Sequence, residues 1–295
     1  MAPTPVPTAP SEEYTVQPDL ANLPASQDCA VVVQTGVQIG GALYETTARL
    51  VVRKTRQQPT PTGWLVEATT LDFAQEATND QEELAGFLAE VKSRLLVELD
   101  HAGRLQRILN KEELQKKWAA LRPALKARYR TSAEVTPALL DQLGQVLHGD
   151  GYLEEVLLRA PEYQLLFPPI FGQAYATASP QPGATTLKRF LGELDLPLLT
   201  EARLQAPPAA DGACTVQVVG WPAEQGYPAA GIRQAVRTIT DRFDVVPTLN
   251  LLYSETYALG PAPYQGVPYA ASHLHYEVPG VVGREVTALL STLPA

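Results

Sequence analysis

Three side chains near the carboxyl end of the chain have the residue types and the spacing of a metal site. His273, His275 and Glu277 alternate along the stretch YAASHLHYEV, which has strand composition. Every second side chain of an extended strand points to the same face, and imidazole and carboxylate groups are zinc ligands. The pattern is a candidate for a mononuclear site and for metal-assisted hydrolysis. Polar alternation on the wet face of a sheet gives the same string, so we predict no cofactor.

A basic stretch in the middle of the chain is the second candidate for binding. Nine lysines and arginines lie between positions 104 and 130, against two acids. On one interpretation this stretch docks an acidic protein partner, an anionic lipid surface or nucleic acid, of which the protein partner is favoured. On the other it is the solvated face of an amphipathic helix, paired with nearby acids. The candidate contacts to a partner are Lys116, Arg122, Lys126 and Arg130.

Tyrosines are frequent in the last fifth of the chain, and two of them are candidates for a binding surface. Tyr253 and Tyr257 share one face of a predicted strand. Tyrosine packs well on strands and keeps a polar tip, so packing is the ordinary interpretation. An exposed line of tyrosines would instead indicate a contact surface for a protein or an apolar ligand.

Composition and missing motifs exclude several function classes. The net charge of -9 argues against general nucleic-acid binding, because the phosphate backbone is also negative. The chain contains no nucleophile elbow, no phosphate-binding P-loop, no H-E-x-x-H and no C-x-x-C. An enzyme is therefore the less favoured class, although distant residues can still assemble a site.

The elements that must position these candidates follow from periodicity. Helices are predicted over 80–91, after Asn110, from Thr136 to about 149, and from about 228. Asn110 and Glu113 have the spacing of a capping box, and Gly103 supplies a turn. Long hairpins occupy 42–73. The predicted fold is α+β: twisted antiparallel sheets with long hairpins packed against a helical group at about 80–165.

The order of elements predicts two parts after a lead-in. Residues 1–27 are rich in proline and read as a flexible segment. Residues 28–178 hold the hairpins and the helical group, and residues 184–295 form a second antiparallel α+β half. The stretch SPQPG at 179–183 is the candidate boundary. Helix, strand, turn and strand recur in the same order in both parts, which suggests two related halves.

The central segment LDHAGRLQRILNKEELQKKW resembles a motif of a family of uncharacterised bacterial α+β proteins. In that family the motif D-x-x-G-x-L-x-x-I-x-N-x-E-E-L-x-x-x-W lies between a hairpin and a helical pair. The resemblance implies a shared fold over most of residues 40–290 and carries over no activity. The matching residues are Asp100, Gly103, Leu105, Ile108, Asn110, Glu112, Glu113, Leu114 and Trp118.

No apolar run reaches the length of a membrane helix, and the start has no basic, apolar signal pattern. We expect a cytoplasmic protein, or an exported one if a signal peptide has been removed.

Cys29 and Cys214 are interpreted as buried free thiols, with a single disulfide as the alternative. The favoured function is non-catalytic binding of a protein partner or apolar ligand through a sheet face or the basic helix. An enzyme without a recognisable motif and a component of a larger assembly are the alternatives, and the oligomeric state is open.

Overall fold

The computed structural model describes residues 13–16, 18, 21, 24–149, 152–192, 194–241, 247–262 and 266–294. Within these residues, strands account for 47% and helices for 26%. The fold is α+β with antiparallel pairing, as predicted. A single sheet of eleven strands dominates it more than the sequence analysis implied, because both predicted parts contribute to the same sheet.

The elements follow one another with short connections, apart from a helical group in the middle of the chain. The strands are β1 (Tyr14–Val16), β2 (Ser26–Ile39), β3 (Ala42–Thr60), β4 (Gly63–Gln75), β5 (Arg94–Asp100), β6 (Leu105–Ile108), β7 (Gln173–Tyr175), β8 (Gln181–Leu191), β9 (Leu194–Leu204), β10 (Cys214–Pro222), β11 (Asn250–Leu259), β12 (Tyr269–Val278) and β13 (Val282–Thr292). The helices are α1 (Asp80–Val91), α2 (Lys111–Arg128), α3 (Pro137–His148), α4 (Tyr152–Arg159), α5 (Pro161–Leu166) and α6 (Ala229–Thr240).

In the large sheet, strands β2 to β6 follow one another from the middle to one edge, and strands β8 to β13 follow one another from the other edge back to the middle. Its order is β6-β5-β4-β3-β2-β13-β12-β11-β10-β9-β8, with every described pair antiparallel. Three strands, a helix and further strands occur in the same order on both sides, with α1 and α6 as the helices. That order agrees with the repeat suggested by the sequence. A common origin of the halves and the boundary at 179–183 stay predictions, and Gln181–Gly183 lies within β8.

The sheet has one covered and one open face. Cys29, Val31, Val216 and Leu290 lie on the covered face and are buried together with side chains of the helices. The helix α6 covers the same face further along, where Ile232 packs in a second cluster. We call this the inner face and its opposite the outer face. On the outer face Leu199, Trp221, Leu252 and Leu289 are all at least 40% exposed.

Local signals for helices and turns gave the correct bounds in most places. The helix α1 runs over Asp80–Val91 as predicted, and Thr136 caps α3 by accepting from the Leu139 amide at 3.2 Å. Gly103 has φ +86 in the predicted turn. The helix α2 continues through Pro123 to Arg128, and its predicted stripe faces the core. None of the described helices is long and apolar enough to cross a membrane.

The predicted capping box at Asn110 is wrong. Asn110 precedes α2, but its side chain makes no capping hydrogen bond. Its Oδ1 accepts from the Leu96 amide at 2.9 Å, and its Nδ2 donates to the Arg94 carbonyl oxygen at 3.0 Å. The Asn110 amide therefore continues the pairing of β5 beyond the end of β6. The third residue of the expected box, Glu113, accepts from Nδ2 at 3.3 Å.

Both cysteines are buried free thiols, in agreement with the favoured interpretation. Cys29 lies on β2 and Cys214 on β10, four strand positions apart in the sheet. At about 4.8 Å per strand, their separation is roughly 19 Å, far beyond the reach of a disulfide.

The predicted flexible lead-in of residues 1–27 is only partly described, and positions 1–12 lie outside the described residues. Tyr14–Val16 forms β1, which pairs with β7. Val16 and Pro18 are buried.

Candidate functional site

The three residues of the candidate metal site lie on the outer face of β12 and do not converge. Nε2 of His273 is 3.0 Å from a carboxylate oxygen of Glu285 on the neighbouring strand β13. No group of three or more histidine, cysteine or acidic side chains that could hold a metal ion occurs among the described residues. His275 and Glu277 follow His273 along the extended strand, where same-face neighbours are about 6.6 Å apart. Among the described residues, the three candidate ligands are therefore not brought together with a further ligand.

The basic stretch is largely neutralised by acids of the same chain. Arg122 and Lys126 both contact Oδ1 of Asp141 on α3, the latter at 2.9 Å. Lys116 and Arg130 form no ion pair with a described residue. The candidate cations are thus not one free patch, and their role in partner binding stays a prediction. The basic residues with an acid partner are Arg104, Arg107, Lys111, Lys117, Arg122, Lys126 and Arg128.

The predicted tyrosine surface is instead on the inner face of β11. Tyr257 has 0% exposure, so it offers no surface to a partner. Tyr253 is half-buried and lines a cleft. The cleft lies between α4–α5 and strands β8, β11, β12 and β13, and its volume is about 550 Å³. Small-molecule sites commonly have volumes of about 300 to 1,000 Å³. Clefts of about 880 and 740 Å³ elsewhere among the described residues fall in the same range, so it is the lining described below, and not the volume, that makes this cleft the candidate functional site.

One wall of the cleft exists because the edge strand β8 bends over the inner face. The register between β8 and β9 shifts between Leu187 and Leu191, and Arg189 adopts φ +53. Phe190 is thereby carried onto β12, although β8 is four positions from β12 in the sheet. Its ring meets that of Tyr276 edge to face at 4.9 Å. The Tyr276 hydroxyl also donates to the Phe190 carbonyl oxygen, which fixes the bend.

The cleft has an apolar floor and a cationic rim. Aliphatic side chains from α4, β8, β12 and β13 supply the apolar part: Leu158, Leu187, Leu274 and Val286. Three cations, Arg159, Lys188 and Arg284, and one acid, Glu155, also line it. The net charge of this lining is therefore positive, although the whole chain is acidic.

The three cations differ in whether an acid of the same chain already forms an ion pair with them. Arg159 pairs with Glu155 one turn away on α4, and Lys188 pairs with Asp195 on β9. The hydrogen bond from Lys188 lowers the pKa of Asp195, and the charge of Arg159 adds to this. Arg284 is exposed, lies beside the Tyr276 hydroxyl, and forms no ion pair with any described acid. It is the cation of the rim that can meet an anionic ligand.

Behind Tyr253 lies a buried carboxyl group that contacts no cation among the described residues. Glu255 is 5% exposed, and the hydroxyls of Tyr253 and Tyr257 donate to its two oxygens, the latter at 2.8 Å. Burial raises the pKa of Glu255, and the two hydroxyl donors offset this only in part. The other buried acids of the described chain, Glu98 and Glu154, each contact a cation. Glu255 is therefore electrostatically unlike them.

Close packing holds Tyr253 in this position. Its ring lies against Gly220 on β10, where an added Cβ would be 2.8 Å from Cδ1 of Tyr253. Any larger residue at Gly220 would displace the ring and with it the hydrogen bond to Glu255. This is a site where the missing side chain of glycine is required by a neighbour.

Glu255 was not among the candidate site residues, although a local signal for it is present in the sequence. The stretch LLYSETYAL places Leu251, Tyr253, Tyr257 and Leu259 on one face of a strand. Glu255 falls in the middle of that apolar face by the same alternation. The cations of the rim gave no comparable signal, because Arg159, Lys188 and Arg284 are far apart in sequence.

No protein-family model matches the chain, and no curated protein matches it. A structure of lipovitellin concerned with its lipid–protein interactions is similar over 92% of this chain, with a TM-score of 0.47 and 9% identity. The chain spans 25% of the length of that lipovitellin chain. The structure of DynF from the dynemicin biosynthesis pathway of Micromonospora chersina covers 98% of this chain and 92% of its own, with a TM-score of 0.20 and 11% identity. Likeness at this level carries no argument about function.

Proposed function

We propose that this protein is a non-catalytic binding protein that holds a small amphipathic anion in the inner-face cleft. The observation that carries the proposal is the juxtaposition of an apolar floor with Arg284, a cation that no described acid neutralises. A ligand with an apolar body and one acidic group satisfies both parts of the cleft. The apolar body covers Leu274 and Val286 while the acidic group meets the guanidinium.

A purely apolar ligand fits the protein less well. In the cleft, such a ligand would cover the cations of the rim without offering them an anionic group, and burial of an unpaired charge is costly. A more apolar cavity, lined by Trp64, Phe167 and Phe171 among others, has a volume of only about 80 Å³. That volume is well below the size of ordinary ligand sites. The acidic group is therefore part of the proposed ligand.

Binding rather than catalysis is supported by the position of Glu255, the buried acid whose pKa is raised. Glu255 lies behind Tyr253, is 5% exposed, and is not part of the cleft lining. A general acid or base must come within hydrogen-bond reach of the reacting group. The alternatives from the sequence, namely an acidic protein partner at the basic helix, an enzyme without a recognisable motif and a component of a larger assembly, stay predictions.

The test uses two probes with the same aromatic framework. Anilinonaphthalene sulfonate carries a permanent negative charge, and N-phenylnaphthylamine lacks it. We expect the sulfonate to bind at a stoichiometry of one by calorimetry, with fluorescence enhancement. We expect Arg284→Gln to weaken its affinity about tenfold or more, as for loss of a charge-assisted hydrogen bond. The affinity for the uncharged probe should be unchanged in this variant.

Arg130→Gln is the matched control, because it removes one exposed arginine two residues beyond α2, remote in sequence from every element of the cleft. Equal weakening in both variants would attribute the effect to overall charge and contradict the proposal. Unchanged sulfonate binding in Arg284→Gln would do the same.

A further inference from the structure

We infer that anion binding in the cleft is coupled to the uptake of one proton by Glu255, which releases the Tyr253 hydroxyl to donate to the ligand. The inference rests on the proposed function and adds a residue and a proton to it. Glu255, Tyr253 and Tyr257 form one hydrogen-bonded cluster with a fixed number of hydroxyl protons.

With Glu255 ionised, the cluster has no proton to spare. Each tyrosine hydroxyl carries one proton and can donate one hydrogen bond. The Tyr253 hydroxyl donates to Oε1 of Glu255 and the Tyr257 hydroxyl to Oε2. Both donors are therefore used inside the protein. A ligand that contacts Tyr253 would meet an oxygen with no free proton and a negative charge behind it.

With Glu255 protonated, one hydroxyl must reverse its role. A proton taken from solvent onto Oε1 makes an O–H group that donates to the Tyr253 oxygen. The Tyr253 proton then turns away and is free to donate elsewhere. No covalent bond other than this new O–H forms, and the charge of the cluster changes from minus one to zero.

The surroundings decide which tyrosine is released toward a ligand. Tyr257 has 0% exposure and lies near Tyr175, whose hydroxyl already donates to the Ile170 carbonyl oxygen at 2.9 Å. Tyr253 lines the cleft. Of the two tyrosines only Tyr253 belongs to the cleft lining, so it is the one assigned as the released donor.

No charged group among the described neighbours of Glu255 fixes its protonation state, which therefore depends on burial and on the ligand. On its own strand these are Tyr253 and Tyr257, and on β7 the nearest titratable group is Tyr175. Val218 of β10 and Ser272 of β12 are paired opposite to it. No described cation is among these neighbours, and burial raises the pKa of Glu255. An anion in the cleft adds a further reason for the carboxyl to stay neutral.

The experiment is calorimetry with anilinonaphthalene sulfonate, because a sulfonate stays ionised and cannot itself take up the proton. Titrations at one pH in buffers of different ionisation enthalpy give the number of protons taken up per ligand. We expect up to one proton for the wild type at a pH above the titration of Glu255, and an affinity that falls up to tenfold per pH unit there. Glu255→Gln, which keeps a neutral side chain, should bind with no proton uptake and no such pH dependence.

Two further variants complete the test. Tyr253→Phe should bind the sulfonate more weakly at acidic pH, where the wild-type hydroxyl is free to donate. Glu134→Gln, which removes an exposed acid before α3, should retain the wild-type proton uptake. Stoichiometric binding with no proton uptake from about pH 5 to pH 9, the span around and above an ordinary glutamate, overturns the inference and leaves the proposed function intact. Proton uptake that persists in Glu255→Gln also overturns it. Absence of sulfonate binding overturns both.

Discussion

Replacement of Asn110 by alanine should lower the free energy of unfolding by about 2 to 3 kcal/mol, more than the ~1 kcal/mol of a lost helix cap. The side chain makes two hydrogen bonds to the backbone of β5, at 2.9 Å to Leu96 and 3.0 Å to Arg94. A third, at 3.3 Å, goes to Glu113. Each is worth about 1 kcal/mol net, and less for the long contact to the half-exposed carboxylate. The half-buried Leu96 amide would also lose its partner.

Urea denaturation followed by far-UV circular dichroism measures this loss, with Asn110→Asp as the matched variant. Aspartate caps helices as well as asparagine does, but it has no donor for the Arg94 carbonyl oxygen and adds a charge beside Glu113. We therefore expect Asn110→Asp to be destabilised by at least 1 kcal/mol. Amide exchange at Leu96 should become faster in the alanine variant.

If the free energy of unfolding of Asn110→Asp equals that of the wild type, and that of Asn110→Ala is lower by about 1 kcal/mol or less, then Asn110 acts as an ordinary helix cap in solution. Unchanged exchange at Leu96 would point the same way. The bridge from the Asn110 amide to β5 would then not contribute to stability.

Three other predictions concern the buried groups. The raised pKa of Glu255 contributes stability that is fully present below its unfolded pKa of 4.5 and is lost as pH rises through the folded pKa. The free energy of unfolding of Glu255→Gln, measured in urea, should therefore increase relative to that of the wild type as pH rises. A difference that stays constant with pH would contradict this. Trp118, 2% exposed, should cost about 3 to 5 kcal/mol when replaced by alanine, and a loss below about 1 kcal/mol would place it outside the core. Cys29 and Cys214 should react with a thiol reagent only after unfolding, and fast labelling of the native protein would show that they are accessible.

Elements whose signals are local could be predicted from the sequence. The helix α1 was assigned its bounds, Asp80–Val91, because its apolar stripe and acidic first turn lie within twelve residues. Thr136 caps α3 as expected, because a cap needs only the next three residues. The hairpin of β3 and β4 follows from alternation and a turn at Gly63.

Asn110 shows where local reasoning fails. Its spacing to Glu113 satisfies the capping pattern, yet its amide pairs with Leu96 and Arg94, fourteen and sixteen residues earlier. An amide side chain can serve a helix end or a strand edge equally well. Only the arrival of β5 beside it decides between the two.

The sequence by itself determined the class of the fold, the helices α1 and α3, and the hairpin of β3 and β4. The tertiary structure alone decided that both parts share one sheet, that β8 bends at Arg189 over the inner face, and that Arg284 reaches the same cleft as Tyr253. The physical reason is range. Periodicity and capping act between residues a few positions apart, whereas the cleft and the environment of Glu255 depend on strands that are distant in the chain and adjacent only after folding.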